Sequence, residues 1–324
     1  MSYIEPPEKI RICVSEACNL RCRFCTCQKK GFSNRLIDFD VFKNIVDQVF
    51  AYSPKAYLSL IGKGETLMHP QAVDLIEYAM RKNVKAISVT TNGTLLSKEI
   101  QKEILERCSG LVGISVSVDG MKESYEKIRI GANYDQVVEN VRSFIEMRNE
   151  MHKHNVQISM NMTKVRHSDE ELKEYIQFWL GLGVDQLIIR SLFEIDHHTN
   201  ITRWVEPNRL PAFPEKKPCQ FLTSFLQFEY TGKIEHLCFG PYGEQKIVDF
   251  DLTKQSLKEI WESEHYQNIR KYHISNPEKY TPSCKDCEIW KIDFLPVDRK
   301  VVYIGDRKFL SMRNAYLNIY KALK

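Results

Sequence analysis

The chain has 324 residues, ten cysteines and a formal net charge of +4, enough chain to bury a large core in one big domain with an appendage or in about two domains. The small charge and the lack of a long basic run exclude a nucleic-acid partner. The lack of an apolar run near the roughly 20 residues that span a bilayer, or of a signal-type N-terminus, excludes a membrane partner. Ten cysteines in such a chain point to a cytoplasmic protein that uses thiols for metal or catalysis rather than for disulfides.

The first predicted strand, residues 10–14, runs into the segment CNLRCRFC, in which Cys18, Cys22 and Cys25 are spaced C-x3-C-x2-C. Three thiolates this close cannot close a four-cysteine metal site from their own loop. They can hold three corners of a cubane iron–sulfur cluster and leave the fourth iron open to a ligand that is not protein. Zinc with a distant fourth ligand, or plain thiols, would also fit the spacing.

Short runs rich in Val, Ile and Leu then alternate with helical patterns. Strands are predicted at 57–60, 86–90, 112–118, 156–160 and 186–190, with helices at 40–52, 71–82, 98–107, 134–151 and 169–182. Ser168 is a candidate N-cap for the last helix, whose first turn carries Asp169, Glu170 and Glu171. Six strand–helix units imply a parallel sheet with right-handed crossovers, and are too few for a closed eight-stranded barrel. The expected fold is α/β, an open partial (βα)6 TIM-like barrel over residues 1–200, with active residues at the C-terminal ends of the strands.

Those ends carry candidate ligand-binding groups. Gly62-Lys63-Gly64-Glu65 follows the second strand, where a glycine lets backbone approach a ligand and a carboxylate can accept from an amino group. Thr91-Asn92-Gly93 ends the third. Ser117-Val118-Asp119-Gly120 ends the fourth, and Arg129 stands twelve residues after Ser117; an arginine fork suits a carboxylate. Asp119-Gly120 also reads as a simple turn.

After Arg190 the pattern breaks into a polar stretch with Pro207, Pro211, Pro214 and Pro218. A hairpin over 225–238 turning at Thr231-Gly232, a helix near 255–271, and a terminal strand and helix within 301–324 are expected. Cys219, Cys238, Cys284 and Cys287 follow the order C-x12-G-x5-C, then C-x2-C, which four-cysteine zinc would also allow. Cys13 and Cys108 read as core thiols.

Taken together, these motifs resemble the radical S-adenosylmethionine (SAM) enzymes, over nearly the whole chain. The resemblance implies that Cys18, Cys22 and Cys25 hold a [4Fe-4S] cluster whose open iron chelates SAM. It implies that Gly64, Glu65, Asn92, Ser117 and Arg129 grip SAM, and that Phe24 and Leu192 wall its adenine. Lys63 and Thr66 depart from the family's commonest form, Gly-Gly-Glu-Pro. The later cysteines resemble the SPASM and twitch extensions; with only Cys219, Cys238, Cys284 and Cys287, a twitch-like domain over 201–300 with one auxiliary [4Fe-4S] cluster is implied, closed by 301–324.

The resemblance further implies oxidation of a secondary alcohol on a sugar or aminocyclitol, the auxiliary cluster accepting an electron, with a flavodoxin- or ferredoxin-type reductant as partner. Arg190 and Glu194, with Asp196, His197 and His198, are candidates for holding substrate or taking its proton. Rival readings are a peptide or protein maturase, a redox-neutral sugar epimerase with Cys27 as a possible hydrogen donor, and a non-catalytic metal or electron carrier. Only 17 residues precede Cys18, so no fused leader-binding domain is expected.

Overall fold

The computed structural model describes residues 5–25, 27, 33–165, 167–191, 219–234, 249–276 and 279, and the strands at 301–304 and 307–311. Strand β1 (Lys9–Ile12) leads to a two-residue strand β2 (Arg21–Cys22), helix α1 (Phe39–Tyr52), β3 (Tyr57–Leu60), α2 (Ala72–Arg81), β4 (Ile87–Thr91), α3 (Lys98–Arg107) and β5 (Val112–Ser117). Then come α4 (Lys122–Ile128), a short β6 (Arg129–Ile130), α5 (Tyr134–Glu150), β7 (Val156–Lys164), α6 (Asp169–Leu182) and β8 (Gln186–Ser191). Strands β1, β3, β4, β5, β7 and β8 lie side by side in parallel, in chain order, which is the partial barrel expected.

Alternation decides which face of this sheet is outside. Leu58, Leu60, Ile87, Val89, Ile114, Val116, Ile158 and Met160 are all buried, and they share the core with Phe42, Ile45, Val46 and Val49, spaced along one face of α1. Each such side chain contributes on the order of 1.5–3 kcal/mol when fully buried. Helices start where the sequence supplies a cap: Asp38 accepts from the N–H groups of Asp40 and Val41 at α1, and Ser168 from that of Glu171 at α6.

The opposite face of the sheet is polar. Arg11 pairs in register with Ser59 and Ser59 with Ser88; farther along, Thr90 pairs with Ser115, and Ser117 with Asn161. This row explains why β7 runs four residues past its predicted end at 160: Asn161 and Thr163 look like loop in the sequence but face the barrel interior.

The C-terminal part returns to both edges of the barrel. After α7 (Gln220–Ser224), strand β9 (Phe225–Phe228) pairs in parallel with β1. The expected turn is present, with Gly232 at φ +79° and the Glu229 N–H donating to Lys233 O at 2.8 Å. Beyond it, β10 (Lys233–Ile234) pairs with β11 (Phe250–Asp251), and the rest of the expected hairpin, 235–238, lies outside the described residues. All four residues of β9 are buried, which an isolated hairpin could not provide.

The helix expected near 255–271 is two helices, α8 (Leu257–Glu262) and α9 (Glu264–Tyr272). The chain breaks at Ser263, whose hydroxyl caps α9 by accepting from the Tyr266 N–H. Trp261 Nε1 donates to Glu5 O at 2.9 Å, and Tyr52 of α1 donates to Glu262 at 2.9 Å, tying this segment to the barrel. Strands β12 (Val301–Ile304) and β13 (Arg307–Ser311) extend the other edge, β13 parallel to β8. The expected terminal helix lies outside the described residues, and no described helix is long and apolar enough to cross a membrane.

Candidate active site

Cys18, Cys22 and Cys25 lie in the loop between β1 and α1, over the C-terminal ends of the strands. All three are of intermediate exposure, and none is in a disulfide among the described residues. The Cys25 N–H donates to Cys22 O at 3.0 Å, forming a tight turn, and Arg21 Nη1 donates to the carbonyl of Cys18 at 2.7 Å. Burial pushes the Cys22 thiol up to about 12, and the nearby Cys25 and Cys18 push the same way. Burial also raises Cys18. The three thiols lie near enough to influence one another's ionisation, and a cubane takes its thiolates on separate irons, which three thiols of one loop can supply.

The loop after β3 is pressed against the chain that leads into these cysteines. Gly64 N donates to Ser15 O at 3.0 Å and Glu65 N to Ala17 O at 2.7 Å. A Cβ at 64 would overlap Ala17 O and Glu16 C, and one at 62 would overlap Cys13 Sγ. Both glycines are thus required by packing against residues 13–17. Glu65 is 3% exposed; its Oε1 accepts from Leu67 N at 3.0 Å and its Oε2 from Asn92 N at 2.6 Å. Burial raises its carboxyl, opposed by these bonds and by one from Thr91. A carboxylate has about four acceptor sites, so with three in use one remains for a ligand amino group. The Asn92 amide donates to Asn19 Oδ1 at 2.8 Å and its carbonyl accepts from Thr94 N at 2.9 Å, fixing the cysteine loop to the end of β4.

At the end of β5, Ser117 lies beside Asn161, half-buried on the polar face. Asp119 is fully buried; its Oδ1 accepts from Thr163 N at 2.6 Å and its Oδ2 from Arg129 Nε at 2.7 Å. Arg129 Nη1 points to Cys22 Sγ at 3.9 Å. Burial opposes the charge on Arg129, but the carboxylate of Asp119 and the Cys22 sulfur outweigh it and raise its pKa. Beneath this contact, β2 and β6 form an antiparallel ladder in which Cys22 pairs with Arg129.

A second charged cluster sits where β1, β3 and β9 end. Lys63 Nζ is 2.9 Å from Glu229 Oε2 and 3.3 Å from Glu16 Oε1, and Arg35 Nε is 2.8 Å from Glu16 Oε2. Burial pulls the Lys63 ammonium down, but Glu229 and Glu16 more than offset it and its pKa rises. Cys27 stands nearby, half-buried, its thiol hydrogen-bonded to Cys25; that bond and burial raise it.

Other expected residues are less central or lie elsewhere. Phe24 is half-buried in the cysteine loop. Arg190 is the residue of β8 that pairs with Thr163, and Cys219 precedes α7, its N–H donating to His273 Nε2 at 3.1 Å. Leu192, Glu194, Asp196, His197, His198, Cys238, Cys284 and Cys287 lie outside the described residues. Sequence reasoning missed Asp119, Asn19, Glu16 and Glu229. Strand alternation was the available signal for Asp119, two residues past Ser117. Nothing local could reveal Glu229, whose strand partners residues more than 200 positions earlier.

Residues 12–178 match the family described as Radical SAM superfamily, and residues 219–288 match an iron–sulfur cluster-binding domain, SPASM. A curated relative, the tungsten-containing aldehyde ferredoxin oxidoreductase cofactor-modifying protein of Pyrococcus furiosus, is 24% identical over 311 residues, 85% of this chain and 86% of its own. Among solved structures, Streptococcus suis SuiB bound to S-adenosylmethionine aligns with a TM-score of 0.67 at 16% identity, over 89% of this chain and 72% of that one. BtrN in complex with AdoMet and 2-DOIA aligns with a TM-score of 0.56 at 15% identity, over 88% and 94%.

Proposed function

This chain belongs to the radical SAM superfamily, and we propose that it oxidises a secondary alcohol of a small polar molecule, a sugar or an aminocyclitol. Its cofactors are a SAM-binding [4Fe-4S] cluster, SAM itself, and auxiliary iron–sulfur chemistry in the SPASM segment. When bound and reduced, the first cluster supplies the electron that splits SAM into methionine and a 5′-deoxyadenosyl radical.

The protein's part is to hold these groups in place. Cys18, Cys22 and Cys25 are the cluster ligands. Glu65 takes the SAM amino group, and Ser117 with the outer edge of Arg129 takes its carboxylate. Gly64 and Asn92 act by fixing the cysteine loop, and Phe24 and Leu192 wall the adenine. Cys219, Cys238, Cys284 and Cys287 hold the auxiliary cluster. When bound, SAM would supply the radical that takes the carbinol hydrogen; Glu194, Asp196, His197 or His198 would take the hydroxyl proton, and Arg190 would hold the substrate. The chemistry an auxiliary cluster on Cys219, Cys238, Cys284 and Cys287 would supply is acceptance of the remaining electron. A flavodoxin- or ferredoxin-type protein is the reductant.

The observation that carries this reading is the polar inner face. Ser59, Ser88, Thr90, Ser115, Ser117 and Asn161 form paired rows from β3 to β7 beneath the cysteine loop. Hydroxyl and amide groups in a partly enclosed site suit a hydroxyl-rich substrate, because an apolar one would leave them unpaired. The Pyrococcus furiosus relative is named for modifying a cofactor, which extends the class to hydroxyl-bearing cofactors.

The test uses sugars and aminocyclitols deuterated at carbinol carbons, with SAM and a strong reductant. Deuterium should appear in 5′-deoxyadenosine, with one SAM consumed per ketone. Catalytic SAM with solvent hydrogen entering the carbon would mean epimerisation. Deuterium transfer only from labelled peptides would mean a maturase.

A further inference from the structure

Arg129 stands in a place that SAM binding alone does not require. Its backbone is paired with Cys22 through the β2–β6 ladder, and the Arg23 N–H donates to Ile128 O at 2.9 Å, extending the same register. Its guanidinium is clamped from the side by Asp119, which is 0% exposed and also bonded to the N–H of Thr163 at the end of β7. With Nε fixed there, Nη1 is aimed at Cys22 Sγ, while Nη2 bonds no protein atom among the described residues. The group can thus face the sulfur and a ligand carboxylate at once, since a planar guanidinium carries donors on separate edges.

The surroundings make this contact strong. Arg129 has only 11% of its side chain exposed, so solvent screens it weakly. One turn earlier, the Tyr125 hydroxyl is buried with no hydrogen-bond partner among the described residues, and Arg129, Asp119 and Cys22 are all near enough to influence its ionisation.

We propose that Asp119 is a positioning residue that holds Arg129 as a hydrogen-bond donor to the Cys22 sulfur, and that this donor raises the reduction potential of the SAM-binding cluster. Reduction adds negative charge to the cluster, so a cationic donor at one of its thiolates favours the reduced form. The inference rests on the assignment of Cys22 as a ligand and is independent of the substrate proposed above.

The test is the midpoint potential of the SAM-binding cluster in anaerobically reconstituted protein, measured before SAM is added. Its signal is identified as the paramagnetic resonance that changes when SAM is added. Arg129→Gln should move the midpoint to more negative values, and Arg129→Lys, which keeps the charge but not the fork, should move it the same way by less. A wild-type midpoint in Arg129→Lys would overturn the donor geometry. If the variants take up less than a full cluster, the wild-type protein with 15N-labelled arginine decides. A 15N coupling to the reduced SAM-responsive cluster supports the proposal, and its absence overturns it. Release of 5′-deoxyadenosine by the wild-type protein is expected whether or not the 15N coupling is seen, so failure here is distinguishable from failure of the enzymatic assignment.

Discussion

Lys63 Nζ lies 2.9 Å from Glu229 Oε2, so the loop after the second barrel strand is joined to a strand that returns from the C-terminal part of the chain. The pair fixes β9 beside β1 and holds the loop that carries Gly64 and Glu65. Lys63→Met would leave Glu229, 3% exposed in its side chain, without its cation. Breaking a buried pair in this way costs on the order of 3–5 kcal/mol, and the partial exposure of Lys63 places the loss near about 3. Denaturant unfolding of Lys63→Met, Glu229→Gln and the double variant should show the double losing less than the sum of the singles.

Gly64→Ala tests the packing of the ligand loop on the cysteine loop. The added methyl would overlap Ala17 O, which is backbone and cannot swing aside. The variant should lower the melting temperature and reduce iron per chain after reconstitution. Gly181, with nothing within 4 Å of its Cβ position, is the control, and Gly181→Ala should leave iron content unchanged.

Much of this arrangement is legible in the sequence because outer and inner faces differ in polarity. The six barrel strands stand out through apolar residues on their outer face, and their order follows from the crossovers. What escapes is long-range or buried. β1 ends at Ile12 rather than 14, because the chain leaves the sheet there while Cys13 and Val14 stay buried. The seven-residue α4 is missed because it is short and buries only Tyr125 and Ile128. The polar end of β7 reads as loop because its partners on the inner face are invisible locally.

Asp119 reads as a turn residue in the sequence, and in the structure its carboxylate joins the end of β7 to Arg129. Asp119→Ala would remove acceptors from Thr163 N and Arg129 Nε, both at hydrogen-bond distance, and leave a buried cation. The expected loss is on the order of 3–5 kcal/mol. Chemical denaturation of the cluster-free protein measures it, and SAM affinity of the loaded protein should fall as well, since Arg129 is released.

Glu65→Gln separates charge from shape at the second site carboxylate. One of the two oxygens that accept from Leu67 N and Asn92 N would become an amide facing a donor. Leaving a buried donor unpaired costs about 1–3 kcal/mol. Thermal unfolding should show that loss, and equilibrium binding should show weaker SAM.

Iron counting distinguishes the two cysteine sets. Two cubanes give about eight irons per chain, and Cys18→Ala or Cys219→Ala should each lower that to about four. Cys219→Ala should keep the cleavage of SAM but lose the oxidised product, whereas Cys18→Ala should lose both.

The most direct measurement is the release of 5′-deoxyadenosine from SAM by the anaerobically reconstituted protein under a strong reductant, with Cys18→Ala, Cys22→Ala and Cys25→Ala as comparisons. Release by the wild-type protein and none by the three variants is the predicted result. No release from a wild-type protein that holds its iron and is demonstrably reduced, or equal release from the variants, would contradict the account.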